Sequence, residues 1–157
     1  MTQLLAPLDH AHDHAHSEAR EVLGFVIEGS AYGVDIPTIA EILRLLEVTP
    51  VPRAPSFILG VLSVRGRLVT IVSTRELLRI PPAASLTRQR VLLINVGKET
   101  LGFVVDEVLQ VFRVLREEVE PPEVLTDDPA PHALGIARTG SETLILLDLA
   151  RLLDDRW

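Results

Sequence analysis

The chain has 157 residues, a formal net charge of −7 and no cysteine, with 47% hydrophobic and only 4% aromatic content. That length suits one compact domain, or two small lobes sharing a core built from Val, Leu and Ile. The lack of cysteine excludes disulfides, thiolate metal sites and thiol nucleophiles. The acidic balance makes no nucleic acid the expected partner, because the arginines gathered from Arg44 to Arg79 have no aromatic platform interleaved with them.

The opening "MTQLLAPLDH" lacks a basic segment followed by an apolar one, so it does not read as a signal peptide. No uninterrupted apolar run approaches the ~18 residues of a spanning helix, so no direct membrane insertion is expected. A cytoplasmic protein is the expectation. Residues 1–20 hold four of the five histidines, in "LDHAHDHAHSEAR", and read as a disordered His-rich tail ahead of a folded region spanning 21–155. His10, His12, His14 and His16 are the candidate metal ligands. A helix would set them in i,i+4 pairs and an extended chain would set all four on one side, with Asp9 and Asp13 as added oxygen donors. Against this stands a polar tail that takes up metal only adventitiously, since a site needs fixed geometry and supporting partners. No cofactor is expected.

"VLGFVIEG" (22–29) and "AYGVDIP" (31–37) read as two strands of a hairpin. "TIAEILRLLE" (38–47) has apolar residues at 39, 42, 43 and 46, which predicts a helix behind Pro37 and Thr38. Pro50, Pro52 and Pro55 hold an extended loop. "ILGVLSVRGRLVTIV" (58–72) is a second hairpin whose turn carries Arg65-Gly66-Arg67; a turn explains the glycine but not the charge. A helical turn "TRELLRI" (74–80) and a linker (81–89) close the first half. The second half reads "RVLLINV" (90–96), "TLGFVVDEVLQVFRVL" (100–115), an acidic proline-rich loop (116–131), "ALGIART" (133–139) and "TLILLDLARLLDD" (143–155).

The halves resemble each other. "YGVDIPTIAEI" aligns with "LGFVVDEVLQV" at a constant shift of 69, and "GVLSVRGRLVTIVSTRELL" with "GIARTGSETLILLDLARLL" at 75. A doubled unit of short strands implies a mainly β protein of two small five-stranded barrels, which bury their edges by closing. The two intertwined lobes are expected at roughly 21–80 and 90–155.

Catalytic chemistry is hard to find. No phosphate-binding glycine loop, H-E-x-x-H or G-x-S-x-G motif occurs. His132 has no evident base or nucleophile partner, and Asp35, Asp106 and Asp148 sit where aspartates cap backbone N–H groups. The chain does not read as an enzyme.

The stretches "FVIEGSAYGVDIPTIAEIL", "VTPVPRAPSFILGVLSVRG", "LGFVVDEVLQV" and "LGIART…TLILLDLARLL", in that order over residues 22–153, resemble the CheW family of chemotaxis adaptors. The resemblance implies two SH3-like barrels with termini crossing between lobes. It also implies a non-catalytic scaffold joining the cytoplasmic tips of methyl-accepting chemoreceptors to a CheA-type histidine kinase through the kinase's own CheW-like domain, in membrane-associated arrays. Carried over to the receptor-binding groove between the lobes are Ile39, Glu41, Gly60, Val64, Arg65, Gly66, Gly102 and Val105. The chain departs from the family pattern at Ser63, where Asn is expected, and at Ser73-Thr74, where Asp-Leu is expected. The histidine tract is also foreign to it and supports an alternative, a metal-responsive binding protein. Loss of kinase or receptor coupling is a further alternative.

Overall fold

A computed structural model describes residues 19–82, 87–122 and 133–156. Eleven strands and two short α-helices are named among these residues. The first half holds β1 (Arg20–Ile27), β2 (Ser30–Asp35), β3 (Ile39–Arg44), β4 (Ile58–Val64), β5 (Arg67–Ser73) and α1 (Thr74–Leu77). The second holds β6 (Arg90–Val96), β7 (Glu99–Val105), β8 (Glu107–Val114), β9 (Val119–Glu120), β10 (Ala133–Thr139), β11 (Glu142–Leu147) and α2 (Leu149–Asp154).

The strands form a six-stranded sheet, ordered β9-β10-β11-β2-β1-β8, and a five-stranded sheet, ordered β3-β6-β7-β5-β4. Neighbours are antiparallel except β11 with β2 and β5 with β7, which are parallel. Each sheet therefore draws on both halves. The β1–β2 hairpin joins strands of the second half, and the β6–β7 hairpin joins strands of the first. The expected ranges 21–80 and 90–155 delimit the repeated units, whereas the lobes exchange their leading hairpins.

Each sheet is drawn round by the segment after its last long strand. Thr49, beyond β3, exchanges backbone hydrogen bonds of 2.9 and 2.8 Å with Val61 of β4. On the other side β9, beyond β8, pairs with β10 through Val119 and Ala137. Gly60 is required at the first closure, because its φ is +147° and a Cβ there would stand 2.1 Å from the Thr49 carbonyl oxygen.

The two exchanged hairpins are buried on both faces, which is why their sequences run apolar almost without alternation. Leu23, Phe25, Ile27, Tyr32 and Val34 of one hairpin meet Leu92, Ile94, Phe103 and Val105 of the other in a core shared by both sheets. The stacked rings of Phe25 and Tyr32, 5.6 Å apart, belong to it. Their opposite faces look into separate barrel interiors. Val22, Phe112, Val114, Ala137, Leu144 and Leu146 fill one. Val91, Leu43, Leu45, Leu62, Val69 and Ile71 occupy the equivalent places in the other, each shifted by 69 or 75 positions. The repeat is thus a repeat of core positions. Fully burying such side chains stabilises by about 1.5–3 kcal/mol each.

The helix expected over 38–47 is instead a single 3₁₀ turn, Ile36–Thr38, followed by strand β3. Alternation decided it: Leu43 and Leu45 point into the barrel, while Ile42 and Leu46 are exposed. Their outward apolar side chains had completed a false helical stripe. The stretch 100–115 also breaks, into β7 and β8 at Asp106.

Asp106 proves more than a cap. It receives two hydrogen bonds from Arg75 of α1 at 3.0 and 2.7 Å, and a third from the Glu28 backbone N–H at 2.8 Å. Glu28 adds its own carboxylate at 2.7 Å from Arg75. The cluster ties α1, the β7–β8 junction and the β1–β2 turn together, and raises the Arg75 pKa through the Asp106 hydrogen bond. Asp148 does cap α2, accepting from Arg151 N–H at 3.2 Å, and Ser73 caps α1 in the same way from Glu76 at 3.1 Å. Asp35 makes no side-chain cap and pairs with Arg20 at 3.2 Å. Thr74, in place of the leucine expected there, is fully buried with its hydroxyl unpaired.

Two outcomes follow from this architecture. Residues 1–86 expressed alone should show no cooperative urea transition, and co-expression with residues 87–157 should restore one, because neither half contains a complete sheet. Asp106→Asn should lower stability by about 3 kcal/mol in urea unfolding, since the buried Arg75 charge loses its buried carboxylate and keeps only the exposed Glu28.

Candidate functional site

The turn between β4 and β5 is a two-residue hairpin in which both Arg65 (φ 50°) and Gly66 (φ 81°) are left-handed. Gly66 suits that conformation and arginine does not. Its side chain supplies the reason: Nη1 and Nη2 donate to the two carboxylate oxygens of Glu41, each at 2.6 Å. Glu41 lies on β3, the opposite edge of the same sheet, where one extra residue in the β3 register precedes it. The bidentate pair spans the barrel's open side, beyond the backbone closure at Thr49. The hydrogen bond from Arg65, then its charge, hold the Glu41 carboxyl below the usual carboxylate range; the guanidinium is raised in turn.

Beneath the pair is a cavity of about 450 Å³. Val64, Val69, Leu93 and Leu101 supply its apolar lining, and Leu68 at its rim is 75% exposed. Arg65, Arg67 and Lys98 set three cations there against Glu41 and Glu99. An apolar floor with a cationic lip accepts a partner helix or loop that brings apolar anchors and carboxylates.

Of the residues expected at a groove, Glu41, Val64 and Arg65 come together here, with Gly66 in the turn above them. Ile39, on the same strand, packs instead against the shared core. Val105 is fully buried in that core, and Gly102 leaves a Cβ only 2.7 Å from Ile71 and Val91 atoms. Gly60 stands at the barrel closure, and none of Ile39, Gly60, Gly102 and Val105 lines this cavity.

This cavity is not the groove expected between the lobes. The cavity is lined by β3 to β7 of one barrel alone. Folding back to Glu41 keeps Arg65 over its own barrel. At the seam itself lie a crevice of about 80 Å³ near Leu134 and Asp148, and a more charged hollow of about 430 Å³ beside Arg75. Neither contains any of the expected groove residues.

The sister barrel has a matching mouth, a cavity of about 670 Å³ lined by Leu109, Gln110, Phe112 and residues 139–142. Gln110 stands where Glu41 does, and Gly140 where Arg65 does. One barrel therefore closes without the ion pair. Barrel architecture does not require it.

His10, His12, His14, His16 and His132 lie outside the described residues. Among the described residues no group of three or more His, Cys, Asp or Glu side chains could hold a metal ion, and no helix is long and apolar enough to cross a membrane. The signal that would have found the Arg75–Asp106 cluster was present, an arginine after β5 and an aspartate interrupting an apolar run, but nothing in the sequence linked the two.

A family model described as CheW-like domain matches residues 21–156. The chain is 31% identical over 135 residues to "Chemotaxis protein CheW" of Klebsiella aerogenes, covering 85% of this chain and 81% of that protein. It is also 31% identical over 136 residues to "Protein FrzA" of Myxococcus xanthus, covering 85% of each. The fold is similar to the crystal structure of scaffolding protein TtCheW from Thermoanaerobacter tengcongensis, with a TM-score of 0.77 at 24% identity, covering 85% of this chain and 91% of that one.

The depressed Glu41 carboxyl fixes the pH behaviour of the mouth. The pair contributes at all pH values above the ordinary glutamate range, about 4.3, and is lost as pH falls through the depressed folded-state value. In a carboxyl-carbon NMR titration Arg65→Gln should move the Glu41 midpoint back up toward that ordinary range.

Proposed function

The chain belongs to the CheW-like domain family, and on that premise we propose that it is a non-catalytic scaffold coupling methyl-accepting chemoreceptors to a CheA-type histidine kinase. It works by presenting surfaces, not by bond chemistry, in the cytoplasm at membrane-associated receptor arrays. The observation that carries this reading is the Arg65–Glu41 pair, present at one barrel mouth and replaced by Gly140 and Gln110 at the other. A pair that closure does not need, on a strained turn beside an exposed leucine, is a recognition feature.

The partner in this reading is a helical coiled-coil receptor tip, and such a helix offers both anchors the mouth takes. Its apolar side chains fill the space over Val69 and Leu93 beside Leu68. Its carboxylates meet Arg67 and Lys98, while Arg65 is held in place by Glu41. The kinase contacts the scaffold through its homologous domain. His10, His12, His14 and His16 enter a second reading, in which metal uptake by the tract gates assembly; the foreign character of that tract is what favours it.

Calorimetry with a chemoreceptor cytoplasmic fragment should show binding that Arg65→Glu weakens by about tenfold or more. Reconstituted kinase phosphorylation should rise on adding this protein together with receptor, and not with the Arg65→Glu variant. Undiminished binding and coupling by the variant would overturn the assignment.

A further inference from the structure

A second cleft lies farther along β3, about 10 Å from Glu41 at strand spacing. It has a volume of about 340 Å³ and is lined by Arg44, Leu45, Leu46, Thr87, Gln89 and Arg90. Arg44 and Arg90 are direct cross-strand partners on β3 and β6. Like charges placed so are destabilising unless something neutralises them. Among the described residues no carboxylate lines the cleft. The Arg90 guanidinium donates to the Gln89 carbonyl at 2.8 Å, and no acceptor for Arg44 occurs among the described residues. In a chain of net charge −7, two arginines face each other beside a Thr hydroxyl and a Gln amide with no anion from the described residues between them.

Apolar surface adjoins the charge. Ile42 on β3 and Leu46 just past its end are 42% and 65% exposed and flank Arg44, two positions away on either side. We infer that this cleft is a separate docking site for an acidic protein segment that sets paired carboxylates beside an apolar side chain. Each guanidinium fork matches a carboxylate bidentately. A carboxylate between Arg44 and Arg90 removes their repulsion, and the leucine and isoleucine on either side cover an apolar neighbour that a free phosphate does not possess. The site does not include Arg65, Glu41 or any residue of the barrel mouth, so it stands independently of the receptor-binding reading.

The test uses the full chain, isotope-labelled, and a synthetic amphipathic peptide composed only of Leu and Glu. Polyglutamate, inorganic phosphate and phosphatidylglycerol vesicles form the other arms. The peptide should shift the amide resonances of Arg44, Thr87, Gln89 and Arg90 in NMR titration, with polyglutamate binding more weakly and phosphate and vesicles not at all. Arg44→Glu or Arg90→Glu should weaken the peptide at this cleft by about tenfold, Arg44→Gln and Arg90→Gln by less, and Arg65→Ala should leave the shifts at these four amides unchanged. Circular dichroism establishes that each variant is folded. Peptide affinity that survives Arg44→Glu/Arg90→Glu, shifts confined to the barrel mouth, or binding of phosphate or vesicles in place of the peptide would each overturn the proposal.

Discussion

The structure depends on two hairpins that are apolar on both faces. β1–β2 and β6–β7 press one face against each other and turn the other into a barrel interior. A strand buried on both sides needs cover from outside its own barrel, and here each half of the chain lends its hairpin to the other's sheet. The exchange makes the two lobes one folding unit. Surfaces on the two barrels are consequently held in a fixed relation, which is the mechanical requirement of a scaffold.

Against that near-symmetry the departures carry the functional information. Barrel interiors match position by position, and helix caps match at Ser73 and Asp148. The charged features do not. Arg65 with Glu41 occupies only one mouth, and the Arg75–Asp106–Glu28 cluster ties only one end of the seam, its counterpart of Arg75 being Ala150. Packing is dictated twice by the same hydrophobic pattern; the charged pairs are not. Arg65 illustrates the exchange of local strain for placement, since a left-handed arginine is tolerated where its fork is fully engaged.

Much of this was legible in the residues. Hairpins at 22–37 and 58–72, the doubling and the mainly β class all follow from strand-length apolar runs and turn glycines. The strand β3 was not legible. Ile39, Ile42, Leu43 and Leu46 fit a helical stripe as well as Leu43 and Leu45 fit an alternating one, and only the open edge of β6 decided between them. Asp106 read as a cap because its partner, Arg75, is thirty-one positions away.

The sequence by itself determined the elements whose causes are local: turns, caps, and hydrophobic runs long enough for a strand. It also determined the duplication, because a repeated core needs repeated side chains. Which half completes which barrel, that Arg65 reaches Glu41, and that Gly102 and Val105 are packed inside were decided only by the tertiary structure. Those outcomes turn on which apolar faces find each other across long stretches of chain, and that pairing is a property of the packed whole.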